Sequence, residues 1–258
     1  MDKKEKQALG HKAMNLYQIE MLHLEQSSQL ISELLPETDN PKNSKTQIFV
    51  EKENFLERLQ KLPITKKVGL MDFADPAKLG HDFMTEGNFR EQMICRNSFL
   101  YPELRKYRQS YYYKNKLASK NGYYSDALIY AKNIKFLRGP KEDKILPNAR
   151  YADVAVIAAP NVKLISEKTN HLPAKTQLEN VFRRRITQTL RAFKQAKVNI
   201  LILGAFGCEM FGNDPKMVAP LFKHCLEKPE FQGFFEQIYF DIFTNNVALQ
   251  AFKDVFNE

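Results

Sequence analysis

The stretch NILILGAFGCEMFGNDP, residues 199–215, sets the architecture. Ile200, Leu201, Ile202 and Leu203 form a short, unbroken apolar run, which suits a central strand covered on both faces better than a half-exposed one. Gly204 and Gly207 follow and let the backbone turn tightly or come close to another group. In α/β sheets, ligands collect outside the carboxyl ends of strands, where backbone N–H groups can face phosphates. Taken alone, the loop reads equally as a phosphate cradle or as a tight strand-to-helix turn.

Working outward, Val68-Gly69-Leu70-Met71 and ADVAVIAA (152–159) are two further buried strands, the second ended by Pro160 and Asn161, and QIYFDIFT (237–244) is the last. Helical patterns over about 176–196 and in DPKMVAPLFKHCLEK (214–228) separate them. Upstream, residues 12–35 carry Met14, Leu16, Tyr17, Met21, Leu22, Leu24 and Leu30 at helical spacing, and Pro36 ends the pattern. ETDNPKNSK (37–45) is a polar loop and TQIFVEKE (46–53) alternates as a strand; Asn54 then caps the helix FLERLQKL, which stops at Pro63. REQMICRNSFLYPEL (90–104) reads as helical up to Pro102. Strands alternating with helices predict an α/β, three-layer sandwich around a mixed, mostly parallel sheet. We divide the chain into an N-terminal helical extension, 1–65, packed on a domain spanning 66–258.

The 258 residues suffice for one good core. Charged residues make up 27% and no apolar run approaches the ~20 residues of a membrane helix, which argues against a membrane protein. MDKKEKQALGHKAMNLYQ lacks the apolar stretch of a signal peptide, so a cytoplasmic site is expected, with delivery into a host cell by a specialised secretion system left open. Cys95, Cys208 and Cys225 are too scattered for a disulfide framework or a zinc site. The net charge of +9 points weakly to a polyanion, but Arg183, Arg184 and Arg185 fan around a helix at ~100° per residue, which argues against nucleic acid. The tyrosines of SYYYKNKLASKNGYYSDALIY (110–130) suit packing better than base stacking.

Three strand ends carry unusual residues: DFADPAKLGHD after the strand near 70, APN after the strand near 157, and GAFGCEMFGNDP after the strand near 201. Together they resemble the microbial-type poly(ADP-ribose) glycohydrolase family, whose catalytic domain is a macrodomain. That family reads Asn-Phe-Ala-Asn, Gly-Gly-Gly, about seven residues, then Gln-Glu-Glu and a helix with Leu-Cys-Arg. The corresponding stretch is DFAD-PAKL-GHD-FMTEGNF-REQ-MICR, without a gap. The family's Leu-Gly-Ala-Trp-Gly-Cys-Gly and Asn-Asp-Pro match LGAFGCEMFGNDP, and YSDALIYAKNIKFLR and DVAVIAAPN resemble further segments. The resemblance covers about residues 66–245.

It implies binding of ADP-ribose between two loops, with no cofactor and no metal. Gly204, Ala205, Phe206, Gly207 and Cys208 would wrap the diphosphate, Phe211 would cover ribose or base, and Asn161 would be a polar group of the pocket. The chemistry has shifted. The family's acting carboxylate falls on Gln92, which can neither give nor take a proton; Glu91 survives and would hold ribose hydroxyls. Gly80, His81 and Asp82 replace the glycine triplet, and Asp72 and Asp75 replace the two asparagines.

Glycoside cleavage through an oxocarbenium-like transition state needs a carboxyl group to protonate the leaving atom or activate water. We expect Asp75, Asp82 and Glu91 to converge, with repulsion raising at least one pKa. Asp82 or Asp75 would activate water, and Asp72, Gly80, His81 and Gln92 would line the ribose site. Taken singly, Asp72 also suits a strand-end cap, Asp75 an Asx turn before Pro76, and Asp82 a solvated loop acid. The expected function is removal of ADP-ribose from a mono-ADP-ribosylated protein, ubiquitin being among the carriers to test, because a bulkier His81-Asp82 loop should crowd a polymer. The alternative is a module that binds ADP-ribose and cleaves nothing.

Overall fold

The apolar runs form strands because both of their faces are covered. In the computed structural model, which describes residues 2–39, 45–84, 87–118, 122–142 and 144–256, the strands are β1 (Ser27–Ile31), β2 (Gln47–Glu51), β3 (Val68–Phe73), β4 (Leu128–Arg138), β5 (Ile145–Ile157), β6 (Ile200–Leu203) and β7 (Gln237–Asp241). They make one sheet in the order β1-β4-β5-β3-β6-β7-β2. The run from β5 to β2 is parallel throughout, whereas β4 is antiparallel to both of its neighbours.

The helices are α1 (Lys3–Glu20), α2 (Phe55–Lys61), α3 (Arg90–Asn97), α4 (Leu100–Arg105), α5 (Lys114–Ala118), α6 (Val162–Thr169), α7 (Lys175–Gln195), α8 (Pro215–Leu226) and α9 (Asn246–Phe256). Phe182, Ile186 and Phe193 of α7, Phe222 of α8 and Phe252 of α9 pack on Met71, Leu201 and Phe240 on one face of the sheet. Leu56 and Leu59 of α2, Ile94 of α3 and Leu104 of α4 pack on Leu70, Val154 and Ile202 on the other. Each such side chain contributes about 1.5–3 kcal/mol on burial, so the two layers fix the sheet between them.

Two local expectations are corrected. The helix expected over 12–35 ends at Glu20, and Ser27–Ile31 instead pairs antiparallel with Leu128–Lys132 as an edge strand. Backbone pairing on an open sheet edge overrides the helical spacing of Leu24 and Leu30. The helix expected to stop at Pro102 breaks earlier, at Ser98, and Pro102 lies in the first turn of α4, where its missing N–H costs nothing. The 65 residues set apart as a helical extension supply both edge strands of the sheet. Residues 40–44 of the expected polar loop, and Thr85 and Glu86 of the stretch after β3, lie outside the described residues. Tyr111, Tyr112 and Tyr130 are buried in the core, as packing requires.

Candidate active site

The carboxyl ends of β3, β5 and β6 open into a narrow cleft. Phe73, Ala74, Phe89 and Arg90 form one wall, and Ala205, Gly207, Glu209 and Phe211 the other. The second wall is built by the loop after β6. Gly207 has φ 74°, and a Cβ there would come within 2.5 Å of the Ala159 Cβ and 2.7 Å of Asn213 Nδ2. Asn213 donates from that amide to the carbonyls of Pro160 (2.8 Å) and Gly207 (2.9 Å), which ties the loop to the end of β5. Within the loop, Phe206 N–H donates to the Gly204 carbonyl and Cys208 N–H to that of Ala205. The amides of Ala205 and Gly207 have no such partner among the described residues. Asp214 then caps α8, and Pro215 starts it.

Of the residues expected to wrap the diphosphate with their backbone amides, Phe206 and Cys208 have those amides engaged within the loop. The Phe206 side chain is fully buried, its ring 5.6 Å from that of Phe73 and 5.5 Å from that of Phe182, so it belongs to the core. Cys208 is buried as well, and burial pushes its thiol up. Asn161 accepts the Leu164 N–H at 3.0 Å as the cap of α6 rather than reaching the cleft. Phe211 does line the cleft, opposite the ring of Tyr124 at 6.4 Å.

The first wall starts from Asp72, whose side chain faces α3 and is wholly buried. Neither of its carboxylate oxygens has a hydrogen-bond partner among the described residues. Burial raises its pKa to about 7, although the charge of Arg90 pulls the other way. Three residues on, Asp75 accepts the N–H groups of Ala77 and Lys78, both at 2.9 Å, in the Asx-type turn that precedes the loop. Its other oxygen lies 2.8 Å from Nδ1 of His81. Burial would raise the Asp75 pKa, but the hydrogen bonds from His81, Ala77 and Lys78 outweigh it and hold the carboxyl below its ordinary value.

Gly80, His81 and Asp82 all have left-handed backbone, with φ of 63°, 50° and 51°. Gly80 is required there: a Cβ would also meet Tyr101 at 3.0 Å and Cys95 Sγ at 3.3 Å. The left-handed turn carries Asp82 outward, where its side chain is 57% exposed and 3.8 Å from Lys78 Nζ. The expected convergence of Asp75, Asp82 and Glu91 is therefore corrected: Asp75 and Glu91 meet, and Asp82 does not join them.

Glu91, on the first turn of α3, is buried and accepts the Asp75 N–H at 2.8 Å and the Tyr112 hydroxyl at 3.3 Å. Burial, then the charges of Asp72 and Asp75, push its pKa well above the carboxylate range against those hydrogen bonds. Gln92, also buried, donates to the His81 carbonyl at 2.9 Å and accepts the Phe89 N–H at 3.3 Å, so both ends of its amide brace the loop. Arg90 is sandwiched between the rings of Phe55 (4.8 Å) and Phe73 (4.6 Å) and donates to the carbonyls of Ile202 and Leu203. Burial lowers its pKa to about 10 against the pull of Asp241, Asp72 and Glu209. Among the described residues it is the cation that lines the cleft, and it was not among the expected site residues. Its signal was its place directly before Glu91, in a motif where the resembling family has an uncharged glutamine. Tyr112 gave no local signal, because only the tertiary fold brings it to Glu91.

A three-layer α/β/α sandwich with a glycine-lined cleft and buried acids at the carboxyl ends of parallel strands defines a class of nucleotide-type ligand sites. The microbial-type PARG catalytic domain profile matches residues 4–139, and the chain belongs to that family, one of glycosidic hydrolases acting on ADP-ribose linkages. The poly(ADP-ribose) glycohydrolase of Deinococcus radiodurans in complex with ADP-ribose is 27% identical, with a TM-score of 0.74 over 84% of this chain and 86% of that one. The enzyme of Thermomonospora curvata bound to the inhibitor ADP-HPD shares the fold at 21% identity, with a TM-score of 0.82 over 97% and 98% of the two chains. No curated protein matches the sequence.

Proposed function

We propose that the protein hydrolyses the bond between ADP-ribose and a mono-ADP-ribosylated protein, by carboxylate-assisted attack of water at the anomeric carbon of the terminal ribose. The observation that carries this is the hydrogen bond from the Asp75 N–H to Glu91, which joins the two chain segments, Phe73-Ala74 and Phe89-Arg90, that wall the cleft opposite the glycine loop. The diphosphate lies against Ala205 and Gly207, whose unclaimed N–H groups suit an anion, with Arg90 nearby as a counter-charge. ADP-ribose as the ligand follows from family membership and from the 27% identical Deinococcus enzyme, which holds that molecule. Glu91, whose pKa burial raises, sets the position of the Asp75 backbone by accepting its N–H.

A single ADP-ribose unit as substrate, rather than a polymer, is supported by the packing of His81 edge-on against Phe89, with ring centroids 4.8 Å apart, because Phe89 lines the cleft. One observation favours a second reading, a binding module without activity: the amide of Gln92, the residue that the motif resemblance sets at the acting carboxylate, is engaged at both ends in the loop. Calorimetry with ADP-ribose, combined with mass spectrometry of Arg-, Glu- and Ser-linked ADP-ribosylated proteins including ubiquitin, separates the two. Binding with release of ADP-ribose upholds the hydrolase; binding without release from any of them upholds the module.

A further inference from the structure

We infer that Glu209 is a specificity-determining residue of the cleft, whose carboxylate opposes the phosphates of the ligand and weights the site against more highly charged nucleotides. The inference rests on ADP-ribose being the ligand, as proposed above. Among the described residues that line the cleft, Glu209 is the one carboxylate and Arg90 the one cation, and they stand on opposite walls. A second small cavity, lined also by Asn54, Asp241 and Thr244, adjoins the cleft and shares Arg90, Ala205 and Glu209 with it. The two charges therefore stand where the cavities meet. A ligand that occupies both passes them with its middle, and the middle of ADP-ribose is its diphosphate.

Glu209 is placed there by two loops. It follows Cys208, whose N–H donates to the Ala205 carbonyl at 3.1 Å, so the turn brings the chain back beside Ala205. Its Oε1 accepts from the hydroxyl of Thr244, on the segment after β7. Arg90 lies against the start of the same loop: a Cβ at Gly204 would be 3.2 Å from its Nη1. The charges of Asp241, Asp72 and Glu209 all act on Arg90. Of the three, Asp241 is held by Arg58 and Asp72 is wholly buried towards α3, whereas Glu209 is exposed and lines the cleft, on the side of the ligand.

The motif resemblance sets glycine at 209 and glutamine at 90, so the cleft carries a pair of opposite charges that the motif lacks. A diphosphate laid on the amides of Ala205 and Gly207 meets attraction from Arg90 and repulsion from Glu209 together. With Arg90 alone, each added phosphate charge would strengthen binding. Glu209 offsets that gain, which leaves the uncharged parts of the ligand to decide between nucleotides.

Calorimetry of the full chain with ADP-ribose and with ADP, which carries an additional negative charge, tests this in the wild type, Glu209→Gln and Glu209→Lys. Glutamine keeps an acceptor for Thr244 and removes only the charge. At about 50 mM salt, Glu209→Gln should bind ADP-ribose about fivefold more tightly and ADP about tenfold, and Glu209→Lys should exceed it for both. At about 500 mM salt, where charges are screened within about 4 Å, the gains should shrink to within about twofold. If the wild type binds ADP-ribose and Glu209→Gln binds it no more tightly, the inference is overturned while the ligand assignment stands. A gain that persists at high salt, a larger gain for ADP-ribose than for ADP, or a lysine variant weaker than the glutamine one also overturns it, since Glu209 would then act through shape. If none of the three proteins binds ADP-ribose, the ligand assignment fails and the inference fails with it.

Discussion

The glycine loop at 204–208 and the acid loop at 72–92 face each other across one cleft, yet they keep their shapes by opposite means. The first is held by what it lacks: no side chain fits at Gly207 between Ala159 and Asn213. The second is held by what it adds, a set of side chains that satisfy backbone groups: Asp75 on two amides, Glu91 on the Asp75 N–H, and Gln92 on the His81 carbonyl. A loop shaped by exclusion tolerates few substitutions at its glycines. A loop shaped by polar bracing can exchange residues, provided the buried donors and acceptors stay matched.

The contrast breaks most directly at Gly207. Gly207→Ala combines a left-handed alanine with a contact too close for its neighbours, and should cost about 2–5 kcal/mol together with most ADP-ribose affinity. Urea unfolding and calorimetry measure the two losses; a neutral result would show that the loop is not shaped by exclusion. Glu91→Ala comes next, because it strands the Asp75 N–H and the Tyr112 hydroxyl, and about 2–4 kcal/mol of stability should be lost. Glu91→Gln, which keeps an acceptor, should cost clearly less in the same titration.

A third test uses pH. Folding raises the Asp72 pKa to about 7, so the native state holds this proton more tightly than the unfolded chain. Stability is therefore lost as pH rises from the ordinary carboxylate range through about 7, and Glu91 acts in the same direction. The wild-type Tm should fall between pH 5 and 8 by more than that of Asp72→Asn, and equal falls would contradict the buried-acid picture. The smallest effect belongs to Asp82→Ala, which should change stability by no more than about 0.5 kcal/mol and turnover by less than about twofold. A large loss of turnover would return Asp82 to the site.

The same difference decides what was legible in the sequence. The central strands and the turn after β6 can be read from local signals, an unbroken apolar run followed by glycines, although the run alone leaves the turn's role open. The acid loop names its residues but not their directions. Whether Asp82 or His81 turns inward depends on three left-handed residues in a row and on partners brought from α3 and α4. Asn161 illustrates the limit: a strand-end asparagine suits a pocket or a helix cap equally, and the position of Leu164 decides. Edge strand β1 escaped for a similar reason, since its pairing partner lies about 100 residues away in sequence.

That both outermost strands come from the first 51 residues has a consequence for folding and solubility. β1 pairs with β4 and β2 with β7, each a strand about 100 residues or more further along the chain, so both edges close only through long-range pairing. Until then the long apolar strands have open flanks. A chain begun at residue 66 would leave β4 and β7 as open edges, and should self-associate through them more than the full chain does.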